Sequence, residues 1–532
     1  MSSKRYKPEQ IVNLLRQIEV EIANGKTTPQ GGMATMDMNR RKFLGVTSAA
    51  GAGLLAARPT RGRGANPETE KAAYKYRLAF NCWMNDVRSE SMPLEDWPCE
   101  FFDDKTVDGI VRALDVQAEA GYTTLDILGL WTTHAWPVDI KSVADKDRVR
   151  RVNQVLKAAH ERKMKVITFP CGIMSWGMDE IIQHDPAVRG DDKHNMNPLR
   201  EESWQWAYKL FDFAMDNYDL DGFHLESADE GRCKTKECME KWPNNVAYHC
   251  YVTGRMADYI RRKDPKKILI ATIQSFTTWD KGLTEEEKTD LVELSKSVDC
   301  LFDQGHGGTY VRQAEWPGFI QRLHCAYGTS GGIWVFPPQR WERTRWFLPY
   351  TFRTGKHIKE LYEAGGRGIM YYQGPVINPS TEVNIAFGGR IMTNVGKSIE
   401  DVLADTLESL YRPKNAAAHR KLVEIFQRAE NVYFEQWNEE KFLEVDKNPG
   451  PGELKLMNMF GDSNQAAATY LTEPRLDADG RLKYNEGLGS IYKDISKIED
   501  EFNDNGRIGQ IKQGISEALV DINNIAFCKC EK

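Results

Sequence analysis

Short apolar runs alternate with longer amphipathic segments along the middle of this chain. Eight runs rich in apolar, β-branched or aromatic residues predict strands: YRLAFNCW (76–83), YTTLDILGLW (122–131), KVITFPCGI (165–173), DGFHLES (221–227), KILIATIQSF (267–276), VDCLFDQGH (298–306), GGIWVFPP (331–338) and RGIMYYQGP (367–375). Segments between them, such as 108–121, 147–163, 203–218 and 247–263, place apolar residues three and four positions apart, which predicts helices. Strands that alternate with helices pair in parallel through right-handed crossovers.

Eight such units predict an α/β fold of the (β/α)8 TIM-barrel type over residues 66–378. The competing doubly wound sheet usually has a glycine-rich first turn for a nucleotide, and FNCWMND after the first run is no such turn. After Pro375 the alternation stops, and residues 396–440 and 506–525 have the apolar stripes of amphipathic helices. We therefore expect a mostly helical C-terminal region over residues 379–532.

An export signal is predicted ahead of the barrel. The segment RRKFLGVTSAAGAGLLAA (40–57) has an arginine pair, a short apolar run and Ala56-Ala57 before Arg58. It resembles the twin-arginine signal, which implies that export machinery carries the folded protein to the periplasm or beyond the cell. The apolar run is too short to cross a bilayer, so no stable membrane anchor is expected. Residues 33–65 are interpreted as this signal and a linker.

The first 32 residues have a separate character. The opening MSSKRYKPEQIVNLLRQIEVEIANGKTTPQ resembles the start of the small DNA-binding subunit of insertion-sequence transposases. That resemblance ends after about 30 residues, before a recognition helix, and without that helix nothing can enter a DNA groove. We expect a fused or mis-assigned start, with Met33, Met36 or Met38 as the natural one; a simple amphipathic helix at 8–22 is the alternative.

Charge and cysteine content narrow the class of protein. Residues 1–65 contain 11 Lys and Arg against 4 Asp and Glu, which leaves 60 against 73 for the remainder, a net charge of −13. An acidic body is a poor nucleic-acid binder, so no nucleic-acid partner is expected. Ten cysteines are too few for a disulfide scaffold, although Cys233 with Cys238 and Cys528 with Cys530 are local candidates for pairing. Neither pair has further ligands at a zinc spacing, and no cofactor is expected.

Polar residues concentrate at the ends of the predicted strands, where a barrel has its active site. In run four, period two directs Phe223 and Leu225 toward the helices and His224 and Glu226 into the barrel mouth. In run six, the same periodicity is interpreted as directing Cys300 and Phe302 outward and Asp303 inward. Other strand ends contribute further candidates for substrate binding: Asn81, Trp83, Trp131, Trp176, Asp229, Glu230, Gln274, His306, Arg340, Trp341, Tyr371 and Tyr372.

An acidic pair among tryptophans and tyrosines suits a carbohydrate substrate, because aromatic faces cover the C–H face of a sugar. Glycosidic cleavage needs one carboxylic acid to protonate the leaving oxygen and a second carboxylate as base or nucleophile. Burial beside His224 would raise the pKa of Glu226, which suits the acid. Asp303 is the first choice for its partner, with Asp229 or Glu230 as substitutes.

The run DGFHLE resembles the fourth strand of several barrel glycoside hydrolases, which have an acid at its end. Chitinases have DGFDLDWE there, and this chain differs, with His224 in place of an aspartate. With the loop ADEGRCKTKEC (228–238), it is more similar to the α-glucuronidase group and its exported relatives. That resemblance implies Glu226 as acid and Asp303 as base, and Arg340 with Arg343 could bind the carboxylate of a uronic acid.

Two other functions fit the same residues. A metal-dependent barrel enzyme, such as a sugar isomerase, would use His224, Glu226, Asp303 and His306 around one ion. A non-catalytic carbohydrate-binding barrel would retain the aromatic residues without turnover. Each candidate also has a purely structural interpretation: Glu226 paired with Arg232 or His224, Asp303 as a helix cap, and the tryptophans as core residues.

Overall fold

The computed structural model describes residues 72–82, 102–128, 130, 137–170, 172–175, 177–228, 231–272, 284–303, 325–328, 347, 349, 351–363, 366–372, 379–434, 478–503 and 505–524. All of them belong to one compact unit, Glu70–Lys532. The segments 1–32 and 33–65, with the predicted export signal, lie outside the described residues, as do Cys528 and Cys530. The domain boundaries therefore stay predictions.

Eight parallel strands close into a barrel in the order in which they occur along the chain. They are β1 (Tyr76–Cys82), β2 (Thr124–Leu128), β3 (Lys165–Phe169), β4 (Gly222–Leu225), β5 (Ile268–Thr272), β6 (Cys300–Asp303), β7 (Cys325–Gly328) and β8 (Gly368–Tyr372). Closure is made by β1 and β8, whose register pairs Tyr76 with Gly368 and Phe80 with Tyr372. The predicted (β/α)8 barrel is confirmed.

Helices follow the strands and also fill the C-terminal part of the chain. The described ones are α1 (Asp104–Ala120), α2 (Ile140–Val143), α3 (Lys146–Glu161), α4 (Asp179–His184), α5 (Glu201–Asn217), α6 (Lys236–Lys241), α7 (Asn245–Lys263), α8 (Glu285–Ser297), α9 (Thr351–Glu363), α10 (Pro379–Thr393), α11 (Ile399–Tyr411), α12 (Ala416–Phe434), α13 (Ala478–Ile498) and α14 (Asn505–Asn524). The predicted helical character of the C-terminal region is confirmed. Among the described helices, none has the length and apolar character needed to cross a membrane.

The seventh strand was placed incorrectly by the hydrophobic pattern. Residues 331–338 were predicted as this strand, but β7 is Cys325–Gly328, which pairs with β6 on one side and β8 on the other. A four-residue strand is too short to show a period, and the apolar GGIWVFPP six residues later gives a stronger signal. The predicted ligands Arg340 and Trp341 therefore do not directly follow β7, and they lie outside the described residues.

Local sequence signals account for the ends of the helices. In α1, the side chain of Asp103 accepts a hydrogen bond from the backbone N–H of Thr106, and Gly121 ends the helix with φ +94°, a conformation that favours glycine. In α8, Thr284 and Glu287 form a capping box. These caps satisfy backbone groups that a helix terminus otherwise leaves without partners.

Two aspartates join neighbouring strands at the amino end of the barrel. Asp221, just before β4, accepts hydrogen bonds from the backbone N–H of Val166 at 2.8 Å and from Lys165 Nζ at 2.7 Å, both in β3. Asp299, just before β6, accepts from the backbone N–H of Leu269 in β5 at 2.8 Å. Because each carboxylate binds the neighbouring strand, it holds the register of that pair.

No residue other than glycine fits at position 222, the start of β4. A Cβ atom built on it would lie 1.9 Å from the carbonyl oxygen of Ile268 on the neighbouring strand. No side chain fits at that distance, so the Asp-Gly pair that opens β4 combines a carboxylate cross-link with a close backbone approach. The start of the strand that carries the candidate acid is thereby held tightly.

Buried carboxylates join the C-terminal helices to one another and to α9, the helix before β8. Glu430 of α12 is fully buried and accepts hydrogen bonds from the backbone N–H groups of Thr351 and Phe352 at 2.7 and 2.9 Å, at the start of α9. Arg507 of α14 forms two 2.8 Å hydrogen bonds to the carboxylate of Glu382 in α10. A carboxylate at a helix amino terminus and a bidentate arginine pair both fix relative orientation as well as proximity.

Replacing Asp221 by Asn is expected to lower the free energy of unfolding by about 1–3 kcal/mol at neutral pH. Burial acts to raise the pKa of Asp221, but hydrogen bonds from Lys165, Val166 and His160 outweigh it and lower that pKa below its ordinary value. The contribution of Asp221 is therefore present above the pKa of the unfolded chain and is lost as the pH falls through the lower folded pKa. Urea denaturation of both proteins across the acidic range measures it.

Asp219→Asn is the matched control, because the Asp219 side chain is 83% exposed and the contact of its carboxylate among the described residues is with His160, at 3.3 Å. It should leave the unfolding midpoint within experimental error. Equal midpoints for Asp221→Asn and the wild type would show that Asp221 does not hold the β3–β4 register.

Candidate active site at the carboxyl end of the barrel

The contacts of β4 define which side chains point into the barrel. The ring of His224 lies 5.0 Å from the ring of Phe169 and 6.0 Å from that of Phe80, measured between centroids, so strands β1, β3 and β4 direct these rings to the interior. Phe223 packs instead on Phe211 of α5, with centroids 5.1 Å apart. The predicted orientation of His224 and Phe223 is confirmed.

A hydrogen-bonded chain of three buried side chains crosses the barrel interior. His224 Nδ1 lies 2.8 Å from Asp126 Oδ2 of β2, and His224 Nε2 makes a short contact with Thr272 Oγ1 of β5. All three residues are fully buried. A barrel interior is normally filled by apolar side chains, so a polar chain from three different strands is a notable departure.

Asp126 is the residue of this chain that sequence reasoning missed. Burial raises the pKa of Asp126, while the nearby His224 lowers it, and the net result is an elevated pKa. Its second oxygen, Oδ1, has no hydrogen-bond partner among the described residues. The signal was present in the sequence, because a charged residue at the centre of the apolar run TLDIL requires a buried partner.

Glu226 follows β4 and is 4% exposed. The backbone N–H of Ile173 donates to its carbonyl oxygen at 2.8 Å, which extends the β3–β4 pairing beyond the end of β4. The next residue, Ser227, bonds His249 Nδ1 of α7 at 2.6 Å and so faces the helices. Alternation then directs Glu226 to the interior, on the same face as His224, as predicted.

Arg232 organises the loop after β4. Its guanidinium donates to the carbonyl oxygens of Trp242 at 2.7 Å, Asn244 at 2.8 Å and Cys238 at 3.2 Å, and it lies 4.6 Å from the ring centroid of Tyr248. The described hydrogen bonds of this guanidinium therefore go to carbonyls, so the proposed structural pairing of Glu226 with Arg232 is wrong.

Cys233 and Cys238 lie in the same loop as free thiols, both fully buried. Cys238 Sγ is 3.2 Å from Asn197 Oδ1, and Cys233 Sγ is 3.5 Å from Thr235 Oγ1. Burial raises the pKa of the Cys238 thiol to about 12, with smaller effects from Thr235 and Cys233. Such a thiol is a weak nucleophile at neutral pH.

The interpretation of run six was wrong for two residues. The register pairs His224 with Ile270 and Ile270 with Cys300, and it pairs Thr272 with Phe302. Residues paired across neighbouring strands share a face, so Cys300 and Phe302 belong with His224 and Thr272 on the inward face. Asp303 follows Phe302 at a position of the opposite set, and its side chain lies outside the described part of the structure. Its role as base stays a prediction that strand alternation no longer supports.

Asn81 occupies a helix-facing position of β1. It pairs with Ile127, and Ile127 pairs with Thr168, beside the outward Phe223. Asn81 is fully buried, and its amide has no hydrogen-bond partner among the described residues. Its place in the sheet does not favour the predicted contact with a substrate in the mouth.

The remaining predicted ligands are outside the described geometry. Tyr372 pairs with the inward Phe80 and Tyr371 with the helix-facing Ala79, which places their backbone positions, while nothing is described of their side chains. The other predicted substrate ligands lie outside the described residues altogether: Trp83, Trp131, Trp176, Asp229, Glu230, Gln274, His306, Arg340 and Trp341. Their roles stay predictions.

The described residues contain no group of three or more His, Cys, Asp or Glu side chains placed to bind a metal ion. His224, proposed as a ligand in the isomerase alternative, has both ring nitrogens engaged, by Asp126 and by Thr272. Metal coordination by His224 would require one of these bonds to break. This observation disfavours His224 as a ligand.

Neither a family model nor a curated protein matches this sequence. Among solved structures, it is similar to an O-GlcNAc hydrolase of Thermobaculum terrenum, with 9% identity, a TM-score of 0.44, and coverage of 85% of this chain and 96% of that one. A beta-N-acetylhexosaminidase has 12% identity and a TM-score of 0.40 over 64% and 78% of the two chains. Alpha-L-fucosidase isoenzyme 2 of Paenibacillus thiaminolyticus has 12% identity and a TM-score of 0.38 over 59% and 48%. Similarities at this level assign neither a family nor a reaction.

His249, which holds Ser227 beside Glu226, should make the protein sensitive to acid. Burial lowers the pKa of His249 to about 3, with a smaller contribution from Arg232. As the pH falls from about 6.5 toward that value, the unfolded chain binds a proton that the folded chain does not, so stability falls by about 1.4 kcal/mol per pH unit. We expect His249→Gln to reduce the pH dependence of the free energy of unfolding by nearly this amount, which corresponds to one proton. Urea denaturation at several pH values measures it.

His184→Gln is the control, because His184 lies on the exposed side of α4. The difference in slope between the two variants isolates the effect of the buried His249 ring. An unchanged slope in His249→Gln would mean that His249 is protonated in the folded protein.

Proposed function

We propose that this protein is a glycoside hydrolase that uses Glu226 as its general acid. The observation that carries the proposal is the position of Glu226: a buried carboxyl group at the carboxyl end of β4, on the inward face of a closed barrel, two residues after a histidine in a buried polar chain. Active sites of barrel enzymes lie at this end of the strands. A carboxyl group removed from water favours its protonated form, which a general acid needs.

The second carboxylate is to be sought among Asp303, Asp229 and Glu230. Two carboxyl groups about 5–5.5 Å apart support retention of the anomeric configuration, and a separation of about 6.5–9.5 Å supports inversion. The activities of Asp303→Asn, Asp229→Asn and Glu230→Gln should be measured. NMR of the first product anomer formed by the wild type shows whether the configuration is retained or inverted. The variant that loses turnover and regains it with azide identifies the base or nucleophile.

A uronic-acid substrate is the finer form of this proposal. Arg340 is the predicted partner of the sugar carboxylate, since guanidinium groups bind carboxylates through paired hydrogen bonds. Matched aryl glucosides and glucuronides test it. If the proposal holds, Arg340→Ala raises the KM for the glucuronide and leaves that for the glucoside unchanged.

Replacing Glu226 by Gln should abolish acid catalysis and leave the rest of the mechanism in place. With a poor leaving group such as methanol, we expect kcat/KM to fall by about 10²–10⁴-fold. With 2,4-dinitrophenolate, which leaves without protonation, the loss should be much smaller, because the acid is not needed. Steady-state kinetics on a series of aryl and alkyl glycosides measures this dependence.

Glu240→Gln is the control, since the side chain of Glu240 is 67% exposed on α6. An equal loss of activity for all leaving groups in Glu226→Gln would contradict the acid role and favour a structural one. Sugar binding without any turnover by the wild type, measured by calorimetry, would favour a carbohydrate-binding barrel instead.

We also propose that the protein is exported by the twin-arginine route. Arg40 and Arg41 precede the apolar run of the signal, and the receptor reads this pair. We expect replacement of both arginines by lysine to retain the protein in the cytoplasm, as measured by fractionation of cells that express each form. Replacement of Arg61 and Arg63, which follow the apolar run, is the control and should leave export intact.

A further inference from the structure

The register of the strands sorts their inward residues into levels along the barrel axis. Followed once round the barrel, the paired positions lead from Phe80 back to a position eight residues earlier on β1, which is the shear of a TIM barrel. Each step in register to the next strand therefore lowers the position by one residue along the axis. Residues at equal height then come from alternate strands, and four of them form each level.

Two adjacent levels lie just below the mouth of the barrel. The lower level comes from the even-numbered strands and consists of Asp126, His224, Phe302 and Met370. The upper level comes from the odd-numbered strands and consists of Phe80, Phe169, Thr272 and Gly328. The contacts of His224 agree with this order, because it bonds Asp126 within the lower level. It also contacts three residues of the upper level, namely Phe80, Phe169 and Thr272.

The upper level has one inward position without a side chain. Gly328 occupies the inward position of β7, because it pairs with the inward Met370, and Phe302 pairs with Ala326 two residues earlier. The upper level therefore has three side chains where a TIM barrel ordinarily has four. Phe302 and Met370 belong to the strands on either side of β7, one level lower, and they are 0% and 4% exposed. We call the space above these two residues, beside Gly328, the Gly328 gap.

The Gly328 gap lies almost opposite the candidate acid. Glu226 follows His224 by two residues on β4, so it belongs to the next level toward the mouth. Strands β4 and β7 are three positions apart in the closed ring of eight strands, so their inward faces are turned toward each other across the opening. An occupant that rests in the Gly328 gap can therefore extend to the carboxyl group of Glu226.

The residues around the Gly328 gap favour an occupant with an apolar face. Phe302 and Met370 form its floor, and Phe80 and Phe169 share its level. Thr272 is the polar residue of that level, and its hydroxyl already contacts His224 Nε2. A buried water molecule needs about two to four polar partners, which this floor does not offer. A sugar ring has an apolar C–H face that suits such a floor and hydroxyl groups at its edge that can remain toward the mouth.

We infer that the Gly328 gap binds the sugar ring next to the cleaved bond, with the C–H face of that ring on Phe302 and Met370 and its glycosidic oxygen toward Glu226. Gly328 then determines specificity, because any side chain at this position would take volume that the ring needs. This inference rests on the proposed function and says where its substrate binds. One methylene more or less in an apolar pocket changes kcat/KM by about 10–200-fold, so small substitutions at this position are informative.

The first experiment concerns the Gly328 gap itself and needs no turnover. Gly328→Ala adds one methyl group, and if the gap has room for it, the urea midpoint stays the same or rises, because alanine restricts the unfolded chain. If other protein atoms already fill the gap, the methyl group overpacks them and the midpoint falls, which overturns the inference. Gly254→Ala in α7 is the control for the backbone effect, since its added Cβ would lie 3.9 Å from Leu294 Cδ1, an ordinary contact.

The second experiment measures the effect on substrate. With a series of aryl glycosides, we expect kcat/KM to fall from the wild type to Gly328→Ala and again to Gly328→Val, by about 10–200-fold for each added step in size. The inhibition constant of the free product sugar should rise in the same order, because the ring loses its place. Gly254→Ala should leave both quantities unchanged. Equal kcat/KM for Gly328→Val and the wild type would overturn the inference.

The leaving group separates loss of the ring's place from damage to the acid. Gly328→Ala leaves Glu226 in position, so the loss in kcat/KM should be the same for 2,4-dinitrophenolate and for a poor leaving group such as methanol. A loss confined to the poor leaving groups, as expected for Glu226→Gln, would mean that the substitution acts on proton transfer. That result would overturn the inference, because the added methyl group would then not exclude the ring.

The proposed function and this inference fail in different ways. If no glycoside is cleaved by any form of the protein, the proposed function fails and the inference fails with it, while the urea midpoint of Gly328→Ala still shows whether the gap has room. If glycosides are cleaved and Glu226→Gln behaves as an acid variant, but Gly328→Val keeps the wild-type kcat/KM, only the inference about Gly328 fails.

Discussion

Closure of the parallel sheet is the constraint on which the rest of the structure depends. Once β8 pairs with β1, every strand has a neighbour on both sides, and each of its side chains faces either the interior or the surrounding helices. The ring brings Asp126, His224 and Thr272 together from strands that are far apart in sequence. It also turns all eight carboxyl ends toward one opening, which Glu226 reaches from the end of β4. The carboxylate of Asp221 and the glycine at 222 fix the start of that same strand.

The interior of the barrel contains a polar chain where apolar packing would be the simpler solution. A buried aspartate and histidine cost solvation, which only well-placed hydrogen bonds can offset. Replacing such a pair by apolar residues of similar size often leaves stability unchanged or higher, so stability alone does not explain the chain. Departures from simple packing rules concentrate at functional sites. The polar chain of Asp126, His224 and Thr272 lies directly below the end of β4, so it supports the candidate active site there.

Run four and run six show what strand alternation can and cannot predict. In run four, His224 is polar and Phe223 apolar, so period two distinguishes the faces and the prediction was correct. In run six, Cys300 and Phe302 are as apolar as their neighbour Leu301, because a parallel barrel strand is covered on both faces. Only the register with β5 assigns the faces, and it reverses the prediction. The seventh strand was misplaced because its four residues contain too little pattern. The buried pairing of Asp126 was not predicted because its partner, His224, is 98 residues away in the sequence.

The requirements of a general acid explain why a buried strand, β4, is followed directly by charged residues. A general acid must be held to within about 0.5 Å and must also give up and regain a proton, so its surroundings have to be rigid while the carboxyl group itself stays reactive. The backbone of Glu226 is held from one side by Ile173 and through Ser227 by His249 on the other, and both contacts are buried. Beneath it, Phe223 packs on α5 and His224 is bonded on both ring nitrogens inside the barrel, so β4 has little freedom to relax. The carboxyl group that follows at residue 226 is thereby held on a rigid strand at the point where the barrel opens.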